Sequence, residues 1–387
     1  MPRCEAAPVR WKGRNAFHLS NGTVEITVLL GGGHIADFRL CNSLHNLVFE
    51  SPWPTIEPHE FSPQRDSKLY GEGPAGRFLS GYTGHAFVLG YFGMPTSDEA
   101  AEGLPLHGEA ASSQWKVVSS AADDQQAVLS LQVLLPAYQL RAERTLRLSY
   151  GASSVWIEEH VTNVGKQHSD FQWVEHAAFG EPLFAGHEAR LFLSVTRGQT
   201  WPLGYEGHEL LPSNVEFRWP RTYATNGDAL DLSMAFPRTG TGFVAGLLAD
   251  PTRESAFIAV HNCRLKLAAG YLFDRRQFPW IALWEENQAR DYAPWNSLTR
   301  ACGVEFGTSP MPLGLQQARD TKTLFGHPVF ATIAAKQTIK TAYHLFATAV
   351  SGDWSEITDV EQGANELILK GTGDQALRVL ASSPSDY

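Results

Sequence analysis

Three side chains in this sequence stand in settings where proton-transfer chemistry would place them. Glu305 lies between Val304 and Phe306 in the apolar run ACGVEFG, where a carboxylate is costly unless it faces a polar cleft. His176, in FQWVEHAAFG, follows Glu175, and strand alternation puts it on one face with Val174. His107, in LPLHGEA, occupies a loop between an acidic turn and a strand. A carboxylate that ionises in mild acid and an imidazole that titrates near neutrality supply a base and an acid when they face one cleft. The alternative for each histidine is structural, as a satisfied core residue or a turn residue. Glu285 and Glu286, after PWIALW, read as the start of a solvated polar loop. Trp280, Trp284 and Trp295 offer aromatic faces that suit the C–H face of a sugar ring, and the same residues suit an ordinary sheet core.

The elements that must position these residues read as strands. TVEITVLL, AVLSLQVLL, SSVWIEEHVTN, TGFVAGLL, AFIAVHN and AYHLFATAV are short runs rich in β-branched, leucine and aromatic residues. The 34 glycines and 22 prolines suit many tight turns. Helical signals are weak, with short helices expected near Thr96–Gly103 and Asp353–Gln362. No repeat of 20–50 residues is present, so the reading is an all-β, large antiparallel β-sandwich of two packed sheets with few short helices. It is taken as a single domain over 1–387, with 353–387 as a possible peripheral appendage. The polar, proline-containing stretches Ser51–Lys68 and Gly204–Asp228 read as walls of a site.

Bulk properties exclude several classes. A formal charge of −10 without a basic run disfavours nucleic-acid binding. No apolar stretch of signal-peptide or membrane-spanning length occurs, so the expectation is an unexported, cytoplasmic protein with no membrane partner. Cys4, Cys41, Cys263 and Cys302 lack metal or disulfide spacing and read as reduced thiols. His34, His45, His59, His85 and His261 show no metal-ligand spacing, and GGGHI lacks the context of a nucleotide cradle. Neither a metal nor a cofactor is expected.

Three segments in order resemble the aldose 1-epimerase (galactose mutarotase-like) family. They are GRFLSGYTGHAFVLGYFG with LPLHGEAASSQW, HVTNVGKQHSDFQWVEHAAFGEPLF, and PWIALWEENQ with TRACGVEFGTSPMPLG. The usual proline or threonine after the glutamate is Phe306, and the Asn-Arg pair after the first arginine is absent. The resemblance implies a galactose mutarotase-like supersandwich acting on a monosaccharide or sugar derivative, as monomer or homodimer. It makes Glu305 the base and His176 the acid, with His107, Arg77, Trp284 and Trp280 binding substrate. Two alternatives stay open: a hexose-phosphate or uronate epimerase using Arg77, Arg275 or Arg276 for the anion, and a carbohydrate-binding protein without turnover.

Overall fold

Alternation along Leu140–Ser149 is the clearest local cause of structure. Leu140, Ala142, Arg144, Leu146 and Leu148 point inward, and the residues between them face outward. Its neighbour Ser154–Asn163 repeats the rule, with Val155, Ile157, Glu159 and Val161 inward. Such strands belong to a sheet with one packed face. By contrast, His85–Gly90 and Trp280–Asn287 are buried along their whole length, because both faces of their sheet are covered.

The computed structural model, which describes residues 3–383, assembles these strands into two large antiparallel sheets of 14 and 8 strands. Two smaller sheets, four short α-helices and two 3-10 turns complete the described elements. The sheets pack face to face over one extended apolar core. The fold is thus the large antiparallel β-sandwich read from the sequence. The short helix Ser97–Ala101 forms within the expected stretch, closed by a capping box between Thr96 and Glu99.

Other local expectations fail for identifiable reasons. No helix forms at 353–362; Asp359–Gln362 is the first strand of a three-stranded sheet. Trp354, Ile357, Val360, Leu367 and Leu369 from this segment pack on Phe257, Leu272 and Phe346, on the outer face of the 8-stranded sheet. Helices Pro63–Tyr70, Gly73–Gly81 and Leu315–Thr321 were not foreseen, because their glycine and polar content hides any apolar stripe.

The inward charge of Arg144 organises the core. Its guanidinium, fully buried, donates to Glu159 Oε1 at 2.6 Å, to Glu175 Oε2 at 2.7 Å and to the Gly33 carbonyl at 3.0 Å. Tyr343 donates to Glu175 Oε2 at 2.9 Å, and His85 Nε2 lies 2.8 Å from the same oxygen. Trp173 Nε1 donates to Glu175 Oε1 at 2.9 Å. Burial and the neighbouring Glu175 carboxylate push the Glu159 carboxyl up, against the pull of Arg144. Arg144→Ala removes the guanidinium that the two buried carboxyl groups share. It is expected to lower unfolding free energy by about 3–5 kcal/mol in urea denaturation, and an effect within error would show that the network does not hold the sheets.

Candidate active site

The strand Ser169–Gly180 carries His176 and is flanked by His85–Gly90 on one side and Arg300–Gly307 on the other. Glu175 pairs with Phe306, so the next residue, His176, comes level with Glu305. Both side chains project from the outer face of the 14-stranded sheet, opposite to Glu175 and the core. His176 Nε2 stands 3.2 Å from Glu305 Oε1, with side-chain exposures of 6% and 3%.

Small residues flank them on the sheet. Ala86 is level with His176, and Ala282 is level with Glu305. A Cβ at Gly303 would stand 2.5 Å from Glu305 Oε1 and 2.9 Å from the Trp284 ring, so glycine leaves the space the carboxyl occupies.

His107 joins them from the facing loop, its ring centroid 5.0 Å from that of His176. Its backbone has φ 64°, and its N–H donates to the Gly93 carbonyl at 2.9 Å. Gly93 N–H in turn donates to His107 Nδ1 at 3.1 Å, which leaves the ring proton on Nε2. Gly108 follows at φ 76°, where a Cβ would meet the Leu89 carbonyl at 2.5 Å.

Aromatic side chains cover the group. Phe78 meets His107 edge-on at 4.9 Å and stacks on Tyr82 at 5.0 Å, while the Tyr82 hydroxyl lies 3.4 Å from His176 Nδ1. Trp284 stands 6.2 Å from the His176 ring, and its Nε1 donates to the Tyr205 hydroxyl at 2.7 Å. Trp295 packs edge-on against Trp284 at 6.1 Å. Arg14 clips the cover to the sheet, donating to the carbonyls of Gly81 at 2.7 Å and Gly31 at 2.8 Å.

Burial sets the protonation of the pair. The Glu305 carboxyl is pushed well above the usual carboxylate range, and His176 is lowered to about 3, by loss of hydration. His107 is also driven well down, by burial and then by His176. Both shifts favour a neutral carboxylic acid and a neutral imidazole over a carboxylate and an imidazolium. Both descriptions contain the same proton, and 3.2 Å separates its two seats. Among the described residues, Glu305, His176 Nε2 and His107 Nε2 make no hydrogen bond, yet they are not among the fully buried unpartnered atoms.

The structure brings together His107, His176, Glu305 and Trp284, and separates the other two candidates. Arg77 turns away on the helix Gly73–Gly81 and donates to the Gly103 carbonyl at 3.4 Å; its neighbour Phe78 covers the site instead. Trp280 is fully buried in a different cluster with Leu248, Ala318 and Val329, and donates to the Pro328 carbonyl at 2.7 Å. It is a packing residue, because the segment after Met311 lies over it. Glu285 and Glu286 are not solvated, since the strand runs on to Asn287. Glu285 faces inward with its carboxyl raised to about 8 by burial, and Glu286 accepts from the Tyr205 hydroxyl at 2.8 Å. Tyr82, Phe78 and Tyr205 were missed in the sequence, where only their nearness to glycine turns marked them. His34, treated as scattered, is fully buried with its ring 6.4 Å from Tyr82. Among the described residues no cluster of three or more His, Cys, Asp or Glu side chains is placed to hold a metal. Among the described residues no helix is long and apolar enough to cross a membrane.

This sandwich belongs to the fold class of the galactose mutarotase-like proteins. A Klebsiella pneumoniae protein provisionally described as an aldose 1-epimerase superposes with TM-score 0.63 at 18% identity, over 88% of this chain and 80% of its own. A galactose mutarotase-like protein from Clostridium acetobutylicum gives 0.60 at 12% identity, over 90% and 99%. A galactose mutarotase related enzyme from Lactobacillus acidophilus gives 0.53 at 10% identity, over 87% and 98%. No curated protein sequence matches the chain. By sequence the chain belongs to the family described as Domain of unknown function (DUF4432), whose model matches residues 12–310.

The raised Glu305 carboxyl has a consequence for stability. The native state keeps a proton that the unfolded chain releases once pH passes the ordinary carboxyl value of 4.5, so this group costs stability as pH rises toward its folded value. Glu305→Gln removes that cost. It is expected to melt higher than the unsubstituted protein at about pH 8 and to lose that advantage at about pH 4. Equal melting at both pH values would contradict the assignment.

Proposed function

We propose that this protein is an aldose 1-epimerase-type isomerase that opens and recloses the ring of a reducing sugar. The observation that carries the reading is the 3.2 Å approach of His176 Nε2 and Glu305 Oε1 beneath a cover of aromatic side chains. The likeness in fold to galactose mutarotase-like proteins supports it at the level of architecture.

Ring opening takes a proton from the anomeric hydroxyl and delivers one to the ring oxygen, so two opposed carriers are needed. Transfer of the resident proton from Glu305 to His176 produces the carboxylate base and imidazolium acid. Tyr82, at 3.4 Å from Nδ1, accepts from the charged ring, and sugar hydroxyls replace the hydration that Glu305 lacks. The base then takes the anomeric proton while the imidazolium protonates the ring oxygen. Rotation about the carbon bond presents the other carbonyl face, and closure reverses both transfers. No redox partner enters this balance. His107 Nε2–H donates to a sugar oxygen, and Trp284 supplies a face for the C–H side of the ring.

A hexose-phosphate or uronate substrate has less support. Arg77 points to Gly103, Arg275 is held by the Arg253 carbonyl at 2.7 Å, and Arg276 is paired with Asp274 at 2.8 Å on a turn of the other sheet's strand. A neutral aldose is the favoured ligand. Glu305→Gln is expected to lower the anomer exchange rate by about 10²-fold or more, at the scale of one lost acid–base contribution, in exchange NMR with a panel of aldoses. Retained exchange would overturn the roles given to the pair, and saturable sugar binding without exchange in the unsubstituted protein would make it a binding protein.

A further inference from the structure

A second cleft, of about 530 Å³, opens on the outer face of the 8-stranded sheet, beside the C-terminal three-stranded sheet. Its floor is the register pair Trp156 and His344 on adjacent antiparallel strands, with rings edge-on at 4.9 Å. His344 is 1% exposed. Trp156 Nε1 and His344 Nε2 are buried in the cleft lining, and neither has a hydrogen-bond partner.

The ring protons of the pair can be assigned. Ser382 N–H donates to Ser154 Oγ at 3.0 Å, and the Ser154 hydroxyl proton has His344 Nδ1, at 3.3 Å, as its acceptor. The proton of a neutral imidazole then sits on Nε2, so Trp156 and His344 both present N–H donors. Buried donors without acceptors are costly, and two on one cleft floor mark a place that a ligand oxygen would fill.

The surroundings select the ligand. An apolar molecule would leave both donors unpaired. An anion would meet a rim with Glu158, Glu254 and Asp274 against Arg276 and Lys340, an acidic excess. A neutral polyhydroxylated molecule satisfies the donors through its oxygens, returns hydroxyl protons to Glu158 and Asp274, and lays C–H groups on the partly exposed indole. We propose that this cleft is a second binding site, for a neutral saccharide, on the sheet opposite to the His176–Glu305 site and independent of its chemistry.

The test is titration of the ¹⁵N-labelled full chain with D-glucose, maltotriose and inorganic phosphate, following the Trp156 indole N–H resonance, assigned by its loss in Trp156→Phe. A saturable shift with one of the saccharides is expected, kept in Glu305→Gln and weakened about tenfold in His344→Leu, the scale of one lost hydrogen bond. No saturable shift with either sugar, or a shift with phosphate alone, would overturn the proposal. The unsubstituted titration decides even where His344→Leu does not fold.

Discussion

The ion pair between Arg144 and Glu175 is the constraint on which the rest of the arrangement hangs. Glu175 and His176 are successive residues of one strand and must point to opposite faces. Fixing the first inside the sandwich, through Arg144, Tyr343, His85 and Trp173, fixes the second on the outer face. A slip of one residue would carry the carboxylate out of its buried bonds and His176 into the core. The apolar core could tolerate several registers, whereas the charged cluster accepts one.

The outer face is shaped by the absence of side chains as much as by their presence. Ala86, Ala282 and Gly303 leave room around Glu305, and larger aromatics stand at the margin. This construction dries the pair and drives both groups to their neutral forms. Drying is costly for the fold, since it keeps a proton on a carboxyl that water would ionise. On the proposed reading, it also leaves one proton to be shared by two carriers 3.2 Å apart. On the proposed reading, the site sacrifices stability for reactivity.

Much of this was legible in the residues. Alternation in segments such as Leu140–Ser149 specifies a half-buried strand directly, and the unbroken apolar runs specify strands covered on both faces. Glu305 was readable because a carboxylate between Val304 and Phe306 needs a special reason to be there. Arg77 and Trp280 misled because residue type was not matched by direction: a helical turn sends Arg77 away from the site while Phe78 faces it, and a later segment covers Trp280. Glu285 and Glu286 misled because two adjacent charges suggest a loop, while the strand continues and buries both. The protonation of the pair was out of reach, since it depends on hydration removed by residues distant in the chain.

The most direct measurement of the central claim is the titration of the Glu305 carboxyl carbon and the His176 ring nitrogens by NMR in the ligand-free protein. The account predicts a protonated Glu305 and a neutral His176 throughout the neutral range. An ionised Glu305 beside a charged His176 at neutral pH would contradict it.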